Sequence, residues 1–479
     1  MSITYFSTQN PSGANQKPCD LGTVIMSGLA TDGGLFLPER VPTFTAEKLL
    51  DIRSQSFSQI VLDVLDVYLD GVDANIQMIK SEITNRFTFE PKLIQYSDHR
   101  YLLDLNTGPT SAFKDYGANT LSALMNGFLS TENRQKTIIV ATSGDTGSAV
   151  ANAFKDFTDT PNINVVVMYP KGMVSDDQRR LMTTIGSRQK SNIYCIEVDG
   201  TFDDCQNLAK MALNDTTICS QLTSANSINW GRLLGQIPYY IWAKSRLPLQ
   251  NTKTHNTKTQ NTDPIFSVPS GNLGNITAGY LAHLMGNTTE KFILAHNINS
   301  PVESLVLDGV LDYRARATAT HSSAMDVCDP SNLKRLIHYF SGQINTKGDF
   351  VIQPDISKIQ SMFYAEGFSD DQTVRMMSEF YQKTNMMVCP YTAVGLLGVE
   401  AAVYGENAEH PEYRNRDIIT LSTADPSKFP DICHQVYGEF PNPTNPILTA
   451  RGEKEEIYEL ENNFLKLKEF MIKIGLVRI

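Results

Sequence analysis

The chain has 479 residues, 41% hydrophobic and 19% charged, enough for two or three domains around a large buried core and too apolar for a disordered or fibrous protein. With 41 basic and 52 acidic residues the formal charge is −11, which argues against a nucleic-acid partner. Seven scattered cysteines without a CxxC pair read as reduced thiols, and neither a secretory signal nor an apolar run approaching the ~18 residues of a membrane span is present, so a cytoplasmic location is expected. Residues 1–90 read as a separate N-terminal module, with a glycine-rich turn at TDGGLFLP (31–38) and helical patterning from Ile60 to Ile83.

Next comes GPTSAFKDYGA (108–118), which sets Lys114 in an apolar, turn-rich stretch at the head of an expected helix. A lone lysine there is most simply a solvated residue capped by Asp115. Burial would instead disfavour its ammonium form and leave an amine able to attack a carbonyl.

From here strands and helices alternate. Thr137–Ala141 is a β-branched run followed by the loop TSGDTG (142–147) and a helix from Ser148 to Phe157. Val165–Met168, Ile193–Val198, Pro264–Val268, Phe292–His296 and Asp417–Leu421 read as further strands, with helices at Asp176–Ile185 and Asp203–Asn214. This rhythm predicts an α/β fold whose mainly parallel sheets are covered by helices and bind ligands at the strands' carboxyl ends. A polar run at 249–263 containing NTKT twice is expected to be a mobile surface insertion.

PSGNLGNITAGY (269–280) follows a strand and opens a helix, the arrangement of a phosphate cradle. It matches neither the dinucleotide fingerprint nor the Walker pattern, and a plain strand-to-helix turn is the alternative reading. A lysine suited to Schiff-base chemistry together with a phosphate cradle and no nucleotide signature points to pyridoxal 5′-phosphate.

With that cofactor in view, GPTSAFKDYGA, ATSGDTGSA, DGTFDDCQ, NSINWGRLLGQIPYY, PSGNLGN, SSAMDVCDPSN and STADPSKF resemble, in order and spacing, the motifs of the threonine synthase family. GLATDGGLFLP resembles that family's opening segment, so the resemblance covers nearly the whole chain. It implies fold type II architecture. An N-terminal region (1–90) would precede a large cofactor-binding domain (91–130 and 216–479) and a small α/β domain (131–215). The resemblance assigns Lys114 as cofactor anchor and catalytic base, Gly271, Asn272, Leu273, Gly274 and Asn275 as the phosphate loop, and Thr423 as the hydroxyl facing the pyridine nitrogen. Ser143, Gly144, Asp145 and Thr146 would receive the substrate carboxylate.

The implied activity is that of a lyase turning O-phospho-L-homoserine and water into L-threonine and phosphate, in a monomer or homodimer with a small amino-acid substrate and no membrane or nucleic-acid partner. Four departures bear on the substrate. The family's STRG is Ser7-Thr8-Gln9-Asn10, its GKxS is Gly172-Met173-Val174-Ser175, its NxND is Asn297-Ile298-Asn299-Ser300, and its TAHPxKF has Asp425 in place of histidine. Two lose cations and one adds an anion, which would disfavour a phosphorylated substrate if they line the site. The alternatives are β- or γ-elimination or replacement on another amino acid, or a non-catalytic α/β binding protein. His296, His321, His338 and His434 show no zinc spacing, Arg179 and Arg180 read as a solvated helix face, and Glu453–Glu461 reads as a charged helix surface.

Overall fold

The computed structural model describes residues 2–10, 18–130, 135–155, 163–187, 191–248, 263–311, 317–406 and 408–478. The polar run at 249–263 lies outside them apart from Asp263. In chain order the strands of the two main sheets are β1 (Lys92–Ser97), β2 (Arg100–Asp104), β3 (Lys136–Ala141), β4 (Ile163–Pro170), β5 (Ile193–Asp199), β6 (Leu222–Ser224), β7 (Ile265–Pro269), β8 (Lys291–Asn297), β9 (Phe363–Phe368), β10 (Ile418–Ser422) and β11 (Tyr458–Glu461). The helices that matter for the site are α1 (Lys114–Leu129), α2 (Asp145–Phe154), α3 (Asp176–Gly186) and α4 (Gly274–Leu284).

The larger sheet has the order β9-β8-β7-β10-β2-β1 and is parallel except for the β1–β2 pair. The smaller has the order β11-β5-β4-β3-β6 and is parallel throughout. Their central strands are nearly continuous apolar runs because both faces are covered: every residue of β7 and β10 is buried, as are seven of the eight in β4. β1 escapes sequence reading because it is an edge strand with an exposed and half-buried pattern.

The chain divides between the sheets differently from the sequence expectation. β6 joins the smaller sheet, and β11 returns to it after the chain has passed through the larger one, pairing in parallel with β5 from Tyr458↔Ile196 to Glu461↔Asp199. A final helix, Phe464–Lys473, buries Leu467 and Met471 in the same apolar cluster as Ile196, Val198 and Leu208. The stretch 453–461 therefore ends as a strand, and Glu455 accepts bonds from Arg179 at 2.9 and 3.2 Å, so that face of α3 is an ion-paired contact.

The helical patterning from Ile60 to Ile83 falls on two helices of the N-terminal region, Phe57–Leu69 and Ile76–Arg86; Asp70 ends the first, and the left-handed Gly71 follows it. Leu65, Tyr68, Ile79 and Ile83 share one core with Leu121, Leu124 and Phe128 of α1, so the module braces the helix that begins at Lys114. Among the described residues no helix is long and apolar enough to cross a membrane.

Candidate active site

Lys114 is the first residue of α1, and the turn before it is fixed by a buried carboxylate. Asp115 accepts from the Thr110 backbone N–H at 2.8 Å and from its hydroxyl at 2.7 Å. It therefore braces the turn from inside the protein, where a solvated cap was the simpler expectation. Burial lifts its carboxyl to about 6, against the pull of those two bonds. The same turn is tied to the end of β10: the Phe113 N–H donates to Thr423 O at 3.0 Å, and the Asp425 N–H donates to Ser111 O at 3.0 Å. Lys114 and Thr423 are thus held together across neighbouring strand ends.

A buried ion cluster surrounds the Lys114 amine. Its Nζ lies 3.2 Å from Asp145 Oδ2, and the other oxygen, Oδ1, lies 2.5 Å from Lys428 Nζ and accepts from Gln178 Nε2 at 3.0 Å. Burial lowers the Lys114 ammonium below the usual lysine range, Asp145 pulls it back up, and Lys428 pushes it further down. Burial alone would raise the Asp145 carboxyl, but the two lysines outweigh it and hold it well below the usual carboxylate range.

The 143–146 loop enters α2, which has no side-chain cap. Thr142 Oγ1 accepts the N–H groups of Gly144 at 2.9 Å and Gly147 at 2.8 Å, so the Asp145 and Thr146 N–H groups at the helix entrance remain for an outside acceptor. Gly144 has φ 136°, and a Cβ there would meet the Gln178 side chain at 2.7 Å. The Asp145 side chain faces Lys114 and Lys428, so what Asp145 offers at the helix entrance is its backbone N–H, the group the sequence reading had in view.

At the other strand end, Leu273 takes a left-handed conformation with φ 57° and Gly274 opens α4 without a side-chain cap. Asn275 Oδ1 accepts from Tyr239 and Tyr240 hydroxyls at 2.6 and 2.7 Å, while its buried Nδ2 has no partner. The loop is roofed by the segment after β8: a Cβ on Gly271 would lie 2.9 Å from Met325 Cα and 3.0 Å from Ala324 O. Asn332 Nδ2 fixes the loop from behind, donating to Asn272 O at 3.2 Å. Uncapped N–H groups plus a buried donor without an acceptor fit a phosphate, and a buried amine whose ammonium form is disfavoured by burial fits an aldehyde. These residues accommodate pyridoxal phosphate.

The four departures take separate places. Met173 is exposed on a turn, 64% accessible. Gln9 Nε2 donates to Ile344 O at 3.1 Å. Ser300 Oγ is buried without a partner. Asp425 Oδ1 caps the short helix Pro426–Lys428, accepting from the Ser427 N–H at 2.9 Å. Sequence reasoning missed Lys428 and Gln178. The STADPSKF motif contained the first, but a lysine between serine and phenylalanine gives no sign of total burial; Gln178 lies on a helix that reads as polar.

The buried lysine after β2 and the phosphate-ready helix entrance after β7, on either side of β10 in a mainly parallel sheet, define a pyridoxal-phosphate dependent enzyme of fold type II. Residues 97–421 match the family described as "Pyridoxal-phosphate dependent enzyme", and residues 4–85 match "Threonine synthase N terminus". The chain is 30% identical to threonine synthase of Pseudomonas aeruginosa, covering 99% of both chains, and 32% identical to that of Escherichia coli, covering 87% of both. A crystal structure of PLP-bound threonine synthase from Brucella melitensis superposes with a TM-score of 0.86 at 29% identity over 100% of both chains. The chain belongs to the threonine synthase family.

Proposed function

We propose that the enzyme converts O-phospho-L-homoserine and water to L-threonine and phosphate, with its cofactor carried on Lys114. The observation that carries this reading is the buried Lys114 amine paired with Asp145 at 3.2 Å, opposite the uncapped entrance of α4. Bound there, pyridoxal phosphate supplies a conjugated ring that takes up the electron pair left when a proton departs from a substrate carbon. The N–H groups at Gly274 and Asn275, with Asn275 Nδ2, would hold its phosphate, and Gly271, Asn272 and Leu273 would shape the approach.

Thr423 is buried at the carboxyl end of β10. With the cofactor bound, the neutral Thr423 hydroxyl would serve as the partner of the ring nitrogen and, unlike a carboxylate, would not favour its protonation, which suits elimination over transamination. The N–H groups of Asp145 and Thr146, with Ser143 beside them, bind the substrate carboxylate. Lys114 Nζ then takes the α-proton, its amine oriented by Asp145 Oδ2. The Asp425 carboxylate is turned to the Ser427 N–H, which weakens the charge-based objection to a phosphorylated substrate.

Purified protein is expected to show the visible absorbance of a lysine-bound cofactor and to release phosphate from O-phospho-L-homoserine. Lys114→Ala should abolish the absorbance and lower turnover by roughly 10³-fold or more. A coloured protein that releases no phosphate would overturn the substrate assignment in favour of another amino acid.

A further inference from the structure

Lys428 is fully buried, and its Nζ has two partners, Asp145 Oδ1 at 2.5 Å and Thr110 O at 2.9 Å. A buried cation so placed costs desolvation that a surface lysine avoids. Its chain position explains how it gets there. It ends the short helix that starts three residues after Thr423 and is capped by Asp425, so the loop that delivers Thr423 also delivers Lys428.

The two oxygens of Asp145 divide the work. Oδ1 is saturated by Lys428 and Gln178, and Oδ2 faces Lys114 alone. Lys114 cannot be a constant partner, because its nitrogen changes its bonding and its charge as it carries the cofactor and then lets it go. Without Lys428, each such change would leave Asp145 as a buried anion with no cation beside it, the costly state for a buried carboxylate. Other charged or titratable groups facing this cluster are Arg232 of the helix Trp230–Leu234, Tyr391 of the helix Pro390–Val399, and Asp115 on α1 itself.

We propose that Lys428 is a positioning residue for the chemistry at Lys114: it is the constant counter-ion of Asp145, fixing one carboxylate oxygen so that the other faces the Lys114 nitrogen throughout the cycle. This deepens the reading of Lys114 as cofactor anchor and rests on it. Removing the Lys428 charge leaves Asp145 uncompensated, so a proton on the Lys114 nitrogen is held more tightly.

The test is a pH titration of the cofactor absorbance in the resting holoenzyme, which a purely structural lysine would not move. Lys428→Gln keeps a donor and loses the charge, and should raise the midpoint by roughly one pH unit, as for a charge removed within ~4–6 Å. Lys428→Arg should leave it in place. A folded, coloured Lys428→Gln protein with the wild-type midpoint overturns the proposal. If that variant does not fold, the double variant Asp145→Asn, Lys428→Gln removes both charges together; its midpoint should fall, because the nearer anion is gone, and a wild-type midpoint there also overturns the proposal. Absence of the absorbance from the wild-type protein would instead refute Lys114 as anchor.

Discussion

Asp115 shows how one residue serves both the shape and the electrostatics of the site. It braces the turn before Lys114 through Thr110, and its folded carboxyl is lifted to about 6 from the ordinary 3.8 by burial. The fold therefore favours its protonated form. That contribution to stability is fully present below the unfolded value and is lost as pH rises through the folded one. A carboxyl moved from 3.8 to about 6 corresponds to on the order of 3 kcal/mol. Urea unfolding at pH 4 and pH 7 should show the wild-type advantage over Asp115→Asn shrinking by that order as pH rises. Asp145 runs the other way: its depressed carboxyl adds stability above the ordinary carboxylate range, and this is lost on acidification.

At the scale of elements, the phosphate loop works by close approach. Gly271 lies under the backbone of Ala324 and Met325, and a Cβ would come within 2.9 Å of Met325 Cα. Backbone cannot step aside as a flexible side chain can, so Gly271→Ala should push the loop away from the entrance of α4. The expected outcome is a cofactor affinity at least roughly tenfold weaker, about 1.4 kcal/mol, measured by equilibrium dialysis, with little change in far-ultraviolet dichroism.

The legible parts of this enzyme were those whose local chemistry is unusual for their place. A lysine among small apolar residues and a glycine loop between a strand and a helix stand out in one dimension, and the helix α4 begins where that loop predicts. Lys428 and Asp145 did not stand out as partners, because the two are brought together by separate sheets and nothing in either motif encodes the distance. Edge strands were missed for a related reason. β1 and β11 are half covered, so their residues alternate between exposed and partly buried and read as polar surface, and YELE is indistinguishable by composition from the acidic run around it. β9 contains a Glu-Gly pair that dilutes its strand character.

At the scale of the molecule, the chain enters the smaller sheet first through β3 to β6 and again through β11, with the core of the larger sheet in between. Residues 453–478 are therefore part of the smaller unit and not a tail. A chain ending at Gly452 would uncover Leu467's and Met471's partners, including Ile196, Val198, Cys205 and Leu208. It should precipitate or melt at a markedly lower temperature than the full chain, and supplying residues 453–478 as a peptide should recover part of the loss. Equal melting temperatures would argue that β11 adds nothing to the smaller sheet.

That late return has a consequence for synthesis. β5 ends at Asp199 and its outer neighbour begins at Tyr458, so the free hydrogen-bonding edge of β5 leaves the ribosome 259 residues before its partner. At ~5–20 residues per second the edge stands open for roughly 13–50 s. During that interval it is a template on which another nascent chain could pair. Chaperone dependence of this enzyme should therefore concentrate in the time between the emergence of Asp199 and of Glu461.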